Sequence, residues 1–342
     1  MAARIHPALR ARSGAPSGPW DALARLLPPL PPGSLAACAF SGGVDSCAML
    51  ACAVLAYGPA RVVAIHVNHG IQAAASSFEA FCRQRSALLG VHLIVASVDA
   101  RPRGGASPEE AAREARMHAL ASHAVNLGSA FCLLAHHADD QAETLLLALS
   151  RGLGLGGLSG MGPDMVRHGA RFVRPWLGAS RLDIELAARE AQMDWTEDPT
   201  NEDTRFSRNL VRARVMPALS GALPQFKAAS SRSMAHCAEA LALLEEVARD
   251  DLAALRRSDA LLDLRALRSL SPPRRSNLTR HWLRFVHGAY PTQAQMEEAL
   301  LQIDASASGG SIDIKCGHGK IFRQGALLAF LDEPPHRPTV NA

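Results

Sequence analysis

The chain has 342 residues, 48% of them hydrophobic, and a formal net charge of +4, enough for two domains with a packed core in the larger one. No run approaches the roughly 20 uninterrupted apolar residues that cross a bilayer, so a membrane-spanning helix is excluded. Seven cysteines, odd in number and scattered without a C-x-x-C pair, argue against a disulfide framework or an iron–sulfur site and fit a reducing cytoplasm.

Residues 1–33 carry Arg4, Arg10 and Arg12 among many prolines and lack the apolar core of a secretory signal, so they read as a flexible N-terminal segment. Apolar runs at 35–40, 61–67, 91–98 and 130–135 have the Val, Ile, Leu and Phe content of buried parallel strands. Helix-length segments at 44–56, 78–89, 108–125 and 139–149 separate them. This alternation predicts a doubly wound α/β fold. Ser107 and Glu110 have capping-box spacing, Pro108 suits the first helical position, and Gly128 follows the end.

Gly152, Gly154, Gly156, Gly157, Gly160 and Gly162 crowd the next stretch, which reads as a flap or substrate-facing loop. A fifth strand is expected at 171–176, a helix at 181–191, and a polar segment at 198–209 leading into 210–219. After Pro224 the alternation stops: 225–257, 273–286 and 293–303 read as helices and 311–331 as a closing β-hairpin. The expected organisation is therefore 34–219, with a five-stranded parallel sheet, and 220–342, mainly helical, with the boundary near Ser220.

Ser41-Gly42-Gly43-Val44-Asp45-Ser46 follows the first strand and opens the first helix, where free backbone N–H groups and the positive helix end can hold an anion. The glycines let main chain approach phosphate oxygens, Ser41 and Ser46 can donate hydrogen bonds, and Asp45 can hold the Mg2+ that accompanies ATP. There is no Gly-Lys-Ser/Thr ending, so this is not the loop that grips the β and γ phosphates in kinases and GTPases.

The hexapeptide resembles the signature of the PP-loop ATP pyrophosphatase superfamily, an adenine nucleotide alpha hydrolase-like fold. That resemblance implies ATP cleavage between the α and β phosphates. Three further segments resemble the tRNA(Ile)-lysidine synthetase family: 65–70 (Ile-His-Val-Asn-His-Gly), 134–144 (Leu-Ala-His-His-Ala-Asp-Asp-Gln-Ala-Glu-Thr), and 198–203 (Asp-Pro-Thr-Asn-Glu-Asp) with Arg208, Asn209 and Arg212. Arg174-Pro175-Trp176 adds to the likeness. Met117, Gln72 and Ser207 depart from residues usual in that family.

What the resemblance implies is an AMP-forming ligase. ATP adenylates the C2 oxygen of the wobble cytidine in the CAU anticodon of tRNA(Ile), and the ε-amine of free L-lysine displaces AMP to give lysidine. In that scheme Ser41, Gly42, Gly43, Val44, Asp45 and Ser46 bind ATP, main chain near Val67 meets adenine, and Asp45 is the metal ligand. Arg113 and Arg208 are the candidates for stabilising phosphate charge. Asp140 and Glu143 lie three apart on a helix, hence on one face, and can share the lysine ammonium. His136 and His137 are open between a base, a stacking group and a structural role.

Arg208, Arg212, Arg274 and Arg275 are the tRNA-binding candidates. The latter two belong to a tail in which Arg256, Arg257, Arg265, Arg268, Arg280 and Arg284 also outnumber Asp259 and Asp263. Two rival readings stand beside this one: a PP-loop tRNA cytidine thiolase, which would want paired cysteines, and a non-catalytic, nucleotide-gated tRNA-binding protein. The assembly state, including a homodimer, stays open.

Overall fold

The computed structural model describes residues 19–68, 75–99, 101, 108–197, 203–258 and 260–332. The Ser107 cap, Gln72, His69 and residues 198–202 of the polar segment expected at 198–209 lie outside the described residues. Two compact units divide the chain, Met1–Cys237 and Ala238–Ala342, and the division falls inside a long helix beyond the boundary expected near Ser220.

The first unit runs α1 (Pro19–Arg25), β1 (Ala36–Ala39), α2 (Val44–Tyr57), β2 (Val62–Asn68), α3 (Ala75–Leu89), β3 (His92–Ser97), α4 (Pro108–Asn126), β4 (Phe131–Leu133), α5 (Ala138–Ser150), α6 (Leu155–Leu158), β5 (Asp164–Arg167), β6 (Ala170–Val173), α7 (Arg181–Glu190), α8 (Ser207–Leu210) and α9 (Met216–Ala222). Its strands form one sheet in the order β3-β2-β1-β4-β6-β5. The five parallel strands expected are all present. A sixth, β5, pairs antiparallel with β6 at the edge and was not expected.

Alternation along the strands sends side chains into two cores. Ala36 and Cys38 of β1, Val62 and Ala64 of β2, and Phe131 and Leu133 of β4 pack with α1, α2 and α7. Ala37, Ile65 and Cys132 pack with α4 on the other face. Both faces are covered, as a doubly wound sheet requires. The small residues of β1 leave room for α2, whose positions from Val44 to Val54 are nearly all buried, including Met49, Leu50 and Cys52.

Two expectations are corrected in this unit. Residues 19–33 are not a loose lead-in. Trp20 and Leu23 of α1 are buried in the main core, Trp176 Nε1 donates to Leu23 O at 3.1 Å, and Arg61 Nε donates to Ser34 O at 3.2 Å. The glycine-rich loop holds the short helix α6. It is tied to α5 by Gln141, whose Nε2 donates to Met161 O at 2.9 Å and whose Oε1 accepts from Met161 N at 2.8 Å.

The helix α10 (Phe226–Leu255) leads to β7 (Arg256–Ser258), β8 (Leu261–Asp263), α11 (Leu264–Ser269), α12 (Pro272–His281), α13 (Gln293–Ala305), β9 (Asp313–Cys316), β10 (Gly319–Gln324) and β11 (Leu327–Asp332). The expected closing hairpin is instead part of a five-stranded antiparallel sheet, β7-β8-β11-β10-β9. Leu262, Leu267, Trp282, Ile303, Ile321 and Leu328 form its core with α11, α12 and α13.

Candidate active site

In an open parallel sheet, ligands meet the protein outside the carboxyl ends of the strands, where the strand order reverses. Here β1 leads to β2 and β3 on one side, and β4 lies on the other, so the reversal falls between β1 and β4. The Ser41–Ser46 loop follows β1, the 136–143 segment follows β4, and Arg174 follows β6.

Ser46 organises the phosphate loop. Its Oγ accepts from Ser41 N at 3.2 Å and Gly42 N at 3.1 Å and donates to Gly43 O at 3.0 Å. Gly42 has φ +92, and a Cβ there would meet Thr196 Oγ1 at 3.0 Å and Cys82 Sγ at 3.2 Å. Only glycine suits that position without strain. Thr196 N and Oγ1 both donate to Gly42 O, at 2.9 and 3.1 Å, and hold the turn from outside. Gly43 caps α2 with no side-chain hydrogen bond, which leaves first-turn N–H groups for an anion.

Asp45 sits in the first turn of α2. Among the described residues its buried Oδ1 has no hydrogen-bond partner, and Oδ2 lies 3.7 Å from His137 Nε2. A buried carboxylate oxygen lacking a donor suits a cation and its waters. Among the described residues no group of three or more His, Cys, Asp or Glu forms a ready-made metal cage. One protein carboxylate completed by substrate phosphates is the usual arrangement for Mg2+.

His137 caps α5 reciprocally with Asp140: Asp140 Oδ2 accepts from His137 N at 3.0 Å, and His137 Nδ1 accepts from Asp140 N at 3.4 Å. Burial alone would push the His137 imidazole down, but the carboxylates of Asp45, Asp140 and Asp139 outweigh it and hold its pKa above the ordinary value. Burial would likewise raise the Asp140 carboxyl, yet the charges of His137 and Arg208 hold it below the usual carboxylate range.

Asp140 and Glu143 share one face of α5, as their spacing suggested, and that face is already occupied. Arg208 Nε donates to Glu143 Oε2 at 2.8 Å and its Nη2 to Asp140 Oδ1 at 2.9 Å. Arg212 Nε donates to Glu143 Oε1 at 2.7 Å and its Nη2 to Glu143 Oε2 at 3.0 Å. The Glu143 side chain is only 2% exposed. Two guanidiniums over two carboxylates offset the cost of burying the charge. Arg208 lies in α8 and Arg212 in the π-helical turn Val211–Val215 that continues it, four residues apart and therefore on one side.

Asp45, Asp140, Glu143, Arg208 and Arg212 thus come together with the loop. Val67 stands at the carboxyl end of β2, beside β1. Arg113 is an exposed residue of α4 whose charge is felt by Arg174. Arg274 and Arg275 belong to the second unit. Arg274 is half-exposed and pairs with Asp251. Arg275, 9% exposed, pairs with Asp304 and ties α12 to α13.

Sequence reasoning missed Arg174, although the Arg174-Pro175-Trp176 string marked it, and missed Lys227, which pairs with Asp139. No local pattern joins Lys227 to α5 across 88 positions.

Residues 22–219 match the model of the PP-loop domain, and residues 262–327 match the TilS substrate binding domain. A tRNA(Ile)-lysidine synthase of Polaromonas naphthalenivorans is 45% identical over 295 residues, covering 86% of this chain and 88% of that one. The chain belongs to the tRNA(Ile)-lysidine synthase family. A second tRNA(Ile)-lysidine synthase, from Bordetella bronchiseptica, is 41% identical over 83% of this chain and 84% of its own. That of Ralstonia nicotianae is 41% identical over 84% of this chain, but this chain spans only 62% of its length. Among solved structures, the U34-tRNA thiolase NcsA from Methanococcus maripaludis, with its [4Fe-4S] cluster, superposes with a TM-score of 0.53 at 17% identity, over 65% of this chain and 78% of that one. That likeness shows the fold that lysidine synthases share with other PP-loop proteins. No described helix is long and apolar enough to cross a membrane.

Proposed function

We propose that this chain ligates free L-lysine to C2 of the wobble cytidine of tRNA(Ile) with the CAU anticodon, converting ATP to AMP and pyrophosphate. The observation that carries the reading is the meeting, at the β1/β4 reversal, of a phosphate-binding turn with an acidic pair suited to an ammonium group. The cytidine O2 attacks the α-phosphorus and the bond to the bridging oxygen breaks, releasing pyrophosphate. The lysine Nε, having lost its proton, then attacks C2; the C2–O bond breaks and AMP leaves.

Ser41, Gly42, Gly43, Val44, Asp45 and Ser46 bind the triphosphate, and main chain at Val67 meets adenine. Asp45 would hold Mg2+, which supplies neutralisation of phosphate charge. Asp140 and Glu143 hold the lysine ammonium. Its arrival exchanges a cation for a cation, so Arg208 can leave the carboxylates for the α-phosphate without stranding a buried charge. Arg113 serves the leaving group from α4. Arg212, still paired with Glu143, and Arg274 offer their remaining N–H donors to the tRNA backbone. In this division of labour 34–219 is the ATP-binding catalytic part and 220–342 the tRNA-binding part, working in the cytoplasm, where the free cysteines stay reduced.

A thiolase has less support, since Cys47 and Cys82 near the loop are buried and their thiols are pushed up to about 12 by burial. Incubation with α-labelled ATP decides the reading. AMP should form only when lysine-accepting tRNA(Ile) is present; nucleotide turnover without tRNA dependence would contradict it.

A further inference from the structure

Arg174 follows the last parallel strand and is 5% exposed. Its Nε donates to His136 Nδ1 at 3.1 Å, its Nη1 to Gly162 O at 2.8 Å, and its Nη2 to Met165 Sδ at 3.1 Å. All three acceptors are neutral. Among the described residues no carboxylate pairs with this guanidinium, and the charges it feels most, those of Arg113 and Arg167, have its own sign. Burial and those two arginines push its pKa down to about 10, so it stays a cation at neutral pH. A buried cation without an acid is costly. Two of its five N–H donors remain beyond these three hydrogen bonds.

The hydrogen bond to His136 fixes more than a position. A guanidinium Nε–H can only donate, so His136 Nδ1 must present its lone pair. A neutral imidazole of that kind carries its proton on Nε2. The groups facing His136 are Arg174 beyond β6, Asp140 on α5, Arg208 on α8, and His137 beside it. Burial, helped by the two arginines and His137, outweighs Asp140 and lowers the His136 pKa to about 4. Among the described residues Nε2 has no partner.

We propose that Arg174 is a positioning residue that locks His136 as a neutral Nε2–H donor, and that His136 gives that hydrogen bond to an anionic phosphoryl oxygen of a substrate. His136 is then a donor and not the general base its place beside the site suggested. The assignment of the phosphoryl group rests on the ligase reading above; the tautomer does not. The uncompensated charge of Arg174 makes an anionic oxygen the favoured acceptor, whether it comes from the nucleotide or from the RNA backbone.

The test uses the full chain labelled with 15N-histidine, with the His136 signals identified by their loss in His136→Gln. We expect the wild type to show a protonated Nε2 and an unprotonated Nδ1 from pH 8 down to about 5, and Arg174→Met to raise the His136 titration and release the lock on Nδ1, so that both tautomers appear. A non-hydrolysable ATP analogue and an anticodon stem-loop are then added separately. A shift of the Nε2–H with the first identifies the nucleotide as the acceptor, and a shift only with the second identifies the RNA.

In turnover, His136→Gln keeps an N–H donor and should retain activity within about tenfold, whereas His136→Ala should lose about 10²–10³, as when one oxyanion donor is removed. An Nδ1–H tautomer, a wild-type titration near 6.5, no shift with either ligand, or equal losses in the two variants would each overturn the proposal. If the wild type makes no AMP at all, the ligase reading fails while the spectra still decide the state of His136.

Discussion

Glu143 illustrates how a single side chain carries both structure and chemistry. Its carboxylate accepts from Arg208 and Arg212 while almost fully buried, so removing it leaves two cations sharing the single carboxylate of Asp140. Glu143→Ala should lower the stability of the first unit by about 3 kcal/mol, readable in urea titration. Asp140→Asn keeps more of the shape and should raise the lysine requirement more than the ATP requirement. Asp45 is different, because its free oxygen contributes nothing visible to packing. Asp45→Asn should keep the fold, remove one of the charges that hold the His137 pKa up, and abolish turnover. Gly42→Ala should cost about 1–2 kcal/mol through its left-handed φ alone and should weaken ATP binding as the turn shifts away from Thr196.

At the scale of elements, α5 and the strand before it set the pH response. His137, whose pKa is held up, adds stability that is full below the unfolded value of 6.5 and is lost as pH rises through its raised value. His136, held down to about 4, acts in the other window: between 6.5 and 4 the unfolded chain binds a proton that the folded chain refuses, so stability drops as the pH is lowered there. The depressed carboxyls of Asp139 and Asp140 add a further loss below the ordinary carboxylate range. Without divalent ions, denaturant midpoints should therefore peak near pH 6.5, and His136→Gln should flatten the acid side.

The same elements show what the sequence could reveal. The parallel strands were legible because short apolar runs alternate with helix-length segments, Val and Ile being frequent in those behind β2 and β3, and the phosphate loop because its residue types are dictated by what they must touch. The edge strand β5 was hidden in four residues of which Asp164 and Val166 are exposed, so no buried run announces it. Helix α1 was hidden by surrounding prolines, although Trp20 and Leu23 three positions apart were its signal. Trp20→Ala should cost about 3 kcal/mol, a loss that a flexible lead-in would not show. The pairing of α5 with Arg208 and Arg212 spans more than 60 positions and was written in no local pattern.

Across the whole molecule, the basic residues differ in how far their guanidinium groups reach solvent: Arg274 is half-exposed and Arg275 is buried. Because Arg274 also pairs with buried Asp251, the neutral Arg274→Gln is the variant to use: it should weaken tRNA binding and reduce the salt slope by about 0.9 for each phosphate that is no longer neutralised, with ATP binding unchanged in a filter assay. Arg275→Glu should instead lower the melting temperature, because it sets an acid against Asp304 in a buried position. The central claim joins the two substrates at one place: a nucleobase activated at the phosphate turn receives an amine held by Asp140 and Glu143. Its most direct test is nucleoside analysis of tRNA(Ile) after reaction with radiolabelled lysine and ATP. The label should co-migrate with lysidine for the wild type and be absent for Asp45→Asn. Label found in no modified cytidine, with the tRNA intact and ATP consumed, would contradict the account.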